Sequence, residues 1–306
     1  MKTLTISSVV LALANIGSTH PTPKKSTITD VDILQYALTL EHLEDKFYRE
    51  GLANFTLKHF EEAGLDETFY KNLNEVSYDE TTHVAFLTSA LKAANATPVA
   101  ECTYSFGVTS VASFIATAGI LEGVGVSAYL GAAASIMNKD YLTAAGSILT
   151  VESRHSSYLR GAQKQSPFPQ PFDAPLDFNE VYTLAAPFIT SCPESNGKLP
   201  VKAFPMLALD PSITKVETNA TITLDTKDDE SNYGKHEFYA AWISVTGPTY
   251  VPAKWCGDKN KFETMVPPGF HGQSYVLITG TKDCMTDDCV VAGPAIVEVS
   301  GASGME

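Results

Sequence analysis

Residues 79–83 read Asp-Glu-Thr-Thr-His and residues 151–155 read Val-Glu-Ser-Arg-His. Each holds one Glu-x-x-His, Glu80 with His83 and Glu152 with His155. Side chains three apart on a helix share a face, so each motif presents a carboxylate and an imidazole together. Nineteen glutamates and seven histidines in 306 residues give about 0.4 such pairs by chance. Two occur, and none elsewhere.

Both motifs lie in segments with helical periodicity. Upstream, residues 34–48 read LQYALTLEHLEDKFY, and Ile33, Leu34, Ala37, Leu38, Leu40, Leu43 and Phe47 mark one apolar face. Thr29 followed by Asp32 suits a capping box at the start, and Gly51 is expected to stop this helix. A second helix is expected from about Asp66 to Asn95, before Pro98. A third runs from about Val108 to Met137 and is dense in Gly, Ala and Ser. Asn138 caps a fourth, which ends near Gln165, before Pro167. The connection of residues 96–107 can span up to roughly 40 Å, while a 20-residue helix is roughly 30 Å long. It can therefore run the length of a bundle and let its flanking helices lie parallel.

Glu41 on the first helix and Glu122 on the third each sit in an apolar run, where a lone charge is strongly unfavourable. One Glu from each of two helices plus Glu-x-x-His from each of the other two is the ligand set of carboxylate-bridged dinuclear bundles. The expected ligands are Glu41, Glu80, His83, Glu122, Glu152 and His155, holding two transition-metal ions. Mixed N/O donors suit iron and manganese alike. Seven residues after Glu41 stands Tyr48, and seven after Glu122 stands Tyr129, so the two halves repeat one scheme. Each tyrosine either hydrogen-bonds a ligand, carries a radical or only packs. Glu44, one turn after Glu41, is either a supporting or alternate ligand or part of a solvated face. Asp79, Arg154 and His42 adjoin ligands but fall on other faces, and are expected at the surface.

On these residues, LQYALTLEHLEDKFY, DETTH and VESRH, the chain resembles the ferritin-like superfamily. It is most similar to a secreted fungal and plant branch that includes stress-response and desiccation-related proteins. The resemblance covers about residues 28–192. It implies a four-helix bundle and chemistry of the kind found in ferroxidases, manganese catalases and oxygen-activating oxidases. Fold alone does not choose among these.

The remaining sequence frames that expectation. Net charge is −14 and pI about 4.9, which argues against nucleic acid as a partner. Residues 1–18 read as a signal peptide, with an apolar run from Leu4 to Ala14. Beyond it no membrane span is expected, the apolar third helix being Gly-rich and interrupted by Glu122. Export suits three N-x-S/T sequons at Asn54, Asn95 and Asn219 and five cysteines. Cys102 and Cys192 are placed to tie the crossover to the segment after a short helix at 178–186. Two of Cys256, Cys284 and Cys289 are expected to pair. The bundle is assigned to residues 28–193 and a second domain to 200–303. There Ala220–Leu224, Phe238–Val245, Ser274–Thr279 and Ala295–Val299 alternate like strands of an immunoglobulin-like β sandwich. A chain ending near Leu199 is expected to fold alone.

The expected activity is redox chemistry with peroxide or oxygen in a secreted, extracellular or cell-wall setting. The rival is a non-enzymatic, metal-stabilised protein that binds the cell wall or surface. Iron storage in a cage fits poorly with an appended β domain.

Overall fold

The computed structural model describes residues 28–227, 237–257 and 260–305. The signal-like segment 1–18 lies outside them. Six α-helices are described: α1 (Asp30–Asn54), α2 (Leu57–Glu62), α3 (Glu67–Ala93), α4 (Val111–Ala132), α5 (Lys139–Ala162) and α6 (Phe178–Ala185). The Thr29–Asp32 capping box forms, and Asn138 caps α5 through the Asp140 N–H at 2.8 Å. Helix α4 begins three residues later than expected because Ser110 caps it, in a reciprocal box with Ser113. Gly51 does not stop α1. It lies inside the helix, and a Cβ there would sit 2.0 Å from Cε2 of Phe114. This glycine serves close packing, so chain termination was the wrong reading of it.

The crossover runs along α1. Gln35 bonds Thr97 O at 2.7 Å and the Val99 N–H at 2.9 Å, and His42 Nε2 meets Val99 O at 3.1 Å. Fourteen residues further on, Arg49 and Lys46 engage Glu101, so the loop travels about 20 Å of helix at 1.5 Å per residue. Helices α3 and α4 therefore start at the same end. His42, expected at the surface, is half-buried under this loop. Strands β1 (Thr103–Tyr104) and β2 (Ile189–Ser191) pair antiparallel, and the Cys102–Cys192 disulfide joins the same two segments. A bond closing so long a loop contributes on the order of 4 kcal/mol in the chain-entropy picture. Asn196 bonds both backbone groups of Ala100, at 2.8 and 2.7 Å.

The C-terminal domain is an antiparallel sheet of β3 (Leu207–Leu209), β4 (Thr221–Thr226), β5 (Phe238–Trp242), β6 (Thr249–Cys256), β7 (Lys261–Met265), β8 (Gly272–Thr279) and β9 (Val290–Val299). Its strand order is β3-β4-β7-β6-β5-β8-β9. Four of these were legible. β3 is very short, β6 contains Pro252 and Lys254, and β7 alternates with charge, so none gave a clear strand signal. The Gly293 N–H donates to Pro205 O at 2.8 Å, which brings the segment before β3 against β9. The inward residues, among them Ile222, Leu224, Trp242, Phe262, Ile278 and Val297, form one core. Cys284 and Cys289 pair, while Cys256 is free and half-buried.

β8 is buried on both faces. Its second face, with β5, supplies Ala241, Ile243, Tyr275 and Leu277 to a cluster shared with Tyr36, Val124, Ala128, Leu176 and Val181. Tyr275 Oη donates to Gly123 O at 2.9 Å, and Gln273 Nε2 donates to Ile120 O at 3.1 Å. Arg160 on α5 holds Glu298 on β9 through both terminal nitrogens, at 3.0 and 2.7 Å. The sheet thus docks on α4, the helix that carries Glu122. Val111–Ser135 is long and apolar enough to cross a membrane, at mean hydropathy 1.6, but 67% of its most apolar stretch is buried inside the protein. Its apolar surface is bundle core.

Candidate metal centre

The six expected residues come from four helices to one place. Glu80, Glu122 and Glu152 are fully buried, Glu41 nearly so, and His83 and His155 are 8% and 7% exposed. His83 Nδ1 lies 3.3 Å from Glu41, 3.2 Å from Glu80 and 3.4 Å from Glu152. His155 Nδ1 lies 3.2 Å from Glu80 and 3.2 Å from Glu122. Two groups of metal-capable atoms result, each with its donors within 4.8 Å of one another: Glu41, Glu80, His83 and Glu152, and Glu80, Glu122, Glu152 and His155. Glu80 and Glu152 belong to both.

Without a cation this arrangement is electrostatically unfavourable. Burial, then the Glu152 charge, pushes the Glu80 carboxyl up to about 8, against hydrogen bonds from both histidines. Burial, then Glu122, pushes Glu152 well above the usual range. Burial favours neutral imidazole at His155, yet bonds to Glu122 and Glu80 outweigh it and push the group up to about 11. His83 is likewise raised, by Glu152, Glu41 and Glu80 against burial. Glu41 Oε2 and Glu152 Oε1 share one imidazole nitrogen, His83 Nδ1, at 3.3 and 3.4 Å, Glu80 Oε1 meets His155 Nδ1 at 3.2 Å, and Glu152 Oε2 is buried with no hydrogen-bond partner among the described residues. Buried polar atoms are seldom left so. Four ionised carboxylates carry the charge that two divalent cations neutralise, and the mixed N/O set suits such ions. The buried carboxylate and histidine cluster is compatible with a dinuclear metal site.

The surrounding side chains break the symmetry of the repeat. Tyr48 donates to Glu122 Oε1 and Tyr129 to Glu41 Oε1, each reaching the glutamate of the other half. Both phenols are raised well above their ordinary range, by burial first and then by those glutamates. Asp79, expected at the surface, meets His155 Nε2 at 3.1 Å. A carboxylate only accepts, so Nε2 donates to Asp79, and with a metal ion bound the Nδ1 lone pair would be left to face it. The equivalent position in the other motif is Val151, which cannot do this. Arg154 is exposed, as expected. Glu44 is buried, not solvated, at 6% exposed. At its equivalent in the second half stands Gly125, where a Cβ would lie 3.2 Å from Glu44 Oε1 and 2.8 Å from Glu152 Oε2. Burial and then Glu152 raise the Glu44 carboxyl well above its usual range.

An apolar pocket of about 50 Å³ lies on this side of the centre. Ile33, Leu34, Ala37, Ala132, Ile136 and Ala145 line it, as do Glu41, Glu44 and Gly125.

Fold and site together define a ferritin-like helical protein carrying a C-terminal antiparallel sheet domain. The ferritin-like domain family matches residues 29–165, the span that holds all six residues. Protein rds1 of Schizosaccharomyces pombe (strain 972 / ATCC 24843) is 30% identical over 343 aligned positions, which cover 92% of this chain and 84% of that protein. The chain belongs to the ferritin-like family.

Proposed function

We propose that the bundle holds two transition-metal ions, iron or manganese, and uses them in redox chemistry with peroxide or oxygen. Glu80 and Glu152, common to both donor groups, would help to hold both ions. Glu41 with His83 would complete one ion's ligands, and Glu122 with His155 the other's. The observation that carries this reading is the convergence of these six side chains, with four buried carboxylates sharing only two imidazoles among them. Bound there, such ions would exchange electrons with a small oxidant. The protein's own part is to orient and to exclude water. Asp79 holds the His155 ring, the two tyrosines hold Glu122 and Glu41, and the apolar pocket would take a small uncharged molecule. That pocket favours redox chemistry over a purely metal-stabilised scaffold, because a scaffold needs no space for a small molecule beside its centre.

Secretion, the stress-response role, glycosylation and the immunoglobulin-like form of the sheet domain belong to the same proposal. Two disulfides are consistent with an extracellular protein. The sequon asparagines Asn54, Asn95 and Asn219 are all exposed. The test is elemental analysis of natively expressed protein, then of the Glu80→Ala/Glu152→Ala double variant. About two metal ions per chain, lost in the double variant, are expected. Stoichiometric metal retained without both shared carboxylates would overturn the assignment.

A further inference from the structure

A second cavity, of about 290 Å³, lies between the bundle and the sheet domain. Helices α1, α4 and α6 and strands β3 and β9 build it, with Leu40, Val124, Leu184, Phe188, Leu209 and Ile296 among its walls. Ile120 and Met206, both exposed, also line it, so its approach is apolar too. Two side chains in the lining are polar. Thr183 is satisfied, donating to Asn179 O at 2.6 Å and accepting from the Phe204 N–H at 2.9 Å. Glu44 is not: among the described residues no group hydrogen-bonds its carboxyl. Glu44 and Gly125 line this cavity and the bundle pocket alike. Gly125 matters because any side chain there would fill the gap between Glu44 and Glu152.

We infer that this cleft binds a neutral, mainly apolar organic molecule whose single hydrogen-bonding head meets Glu44 beside the carboxylate cluster. At about 290 Å³ the cavity lies at the lower end of small-molecule sites, which run from roughly 300 to 1,000 Å³. Apolar walls with one convergent polar group are what small-molecule sites present. An anionic head is disfavoured, since the walls are apolar and the polar group at their base is itself a carboxyl. The sheet domain is then part of the site, because β3 and β9 close one wall. The inference deepens the redox reading and rests on it for the ligand's role as a substrate, but not for binding.

The test is calorimetric titration of the full chain with 1-butanol, 1-hexanol, 1-octanol and octanoate, in metal-loaded and chelator-treated protein. Affinity is expected to rise about fourfold per methylene, as burial of a CH₂ implies, with octanoate at least tenfold weaker than 1-octanol. Ala208→Trp and Ile120→Trp, both at exposed lining positions, should each weaken 1-octanol at least tenfold while circular dichroism stays unchanged. Binding should persist in chelator-treated protein, so a failure to load metal would count against the dinuclear reading and leave this inference standing. No chain-length dependence, octanoate binding as well as 1-octanol, or undiminished affinity in both folded variants would overturn it.

Discussion

The phenol of Tyr48 on α1 donates its hydrogen bond to Glu122 on α4, not to Glu41 two turns back on its own helix. Tyr129 on α4 returns the contact to Glu41. The pair crosses the bundle, so each half of the repeat holds the other half's glutamate. Tyr48→Phe would leave Glu122 Oε1 buried without that donor. A loss of about 1–3 kcal/mol in stability is expected, with metal affinity falling about tenfold or more. Thermal unfolding and competitive metal titration check it; a variant unchanged in both would show that the phenol only packs.

Asp79 gives a sharper test, because it touches one histidine of the two. Asp79→Asn should weaken the ion held by Glu122 and His155 by about 10–100-fold and spare the other. Dialysis against a weak chelator should then leave about one ion per chain. Loss of both ions together would show that the pair binds as one unit.

Gly51→Ala separates helix propensity from packing. In an open helix interior this change adds about 1 kcal/mol of stability. Here the new Cβ would meet Phe114, which is fully buried and stacked on Phe47 at 4.9 Å. A net loss of about 1–3 kcal/mol is expected. A raised unfolding temperature would show that Phe114 can move aside.

Glu180, away from the metal centre, sets a pH dependence. Burial and then Asp177 push its carboxyl up from 4.5 to about 8. Between these values the folded chain keeps a proton that the unfolded chain has released. Its contribution is therefore fully present below about pH 4.5 and is lost as pH rises towards 8. Glu180→Gln keeps an acceptor for the Asp177 N–H and removes the titration. Relative to the parent it should gain on the order of 2 kcal/mol between pH 5 and pH 8. Denaturant unfolding at both pH values measures it, and parallel pH profiles would refute it.

The docking of the sheet domain bears on where the chain can be cut. A chain ending near Leu199 would leave Tyr36, Val124, Ala128 and Val181 without Tyr275, Leu277 and Ile243. It would also leave Arg160, 7% exposed, without Glu298. Self-association and a lower unfolding temperature are expected, read by size-exclusion chromatography and circular dichroism. A soluble, monomeric bundle of undiminished stability would bear out the expectation that residues 28–193 fold alone.

The sequence by itself determined the helices and the six residues that converge, because helical periodicity and the three-residue offset of Glu80–His83 and Glu152–His155 are local properties of the chain. It also determined that Glu41 and Glu122 needed a compensating partner, since each is a charge inside an apolar run. What the tertiary structure alone decided depends on how helices rotate and what lands on them. Asp79 reaches His155 only because α3 and α5 present those faces to each other. Tyr48 crosses to Glu122 only because α1 and α4 approach closely, Gly51 admitting Phe114. Glu44 is buried because Gly125 leaves room on the opposite helix. β8 is apolar on both faces for the same kind of reason, since the second face meets α4, a neighbour more than a hundred residues away in the chain. Spacing along a chain encodes which residues share a face, whereas only packing decides which face meets which.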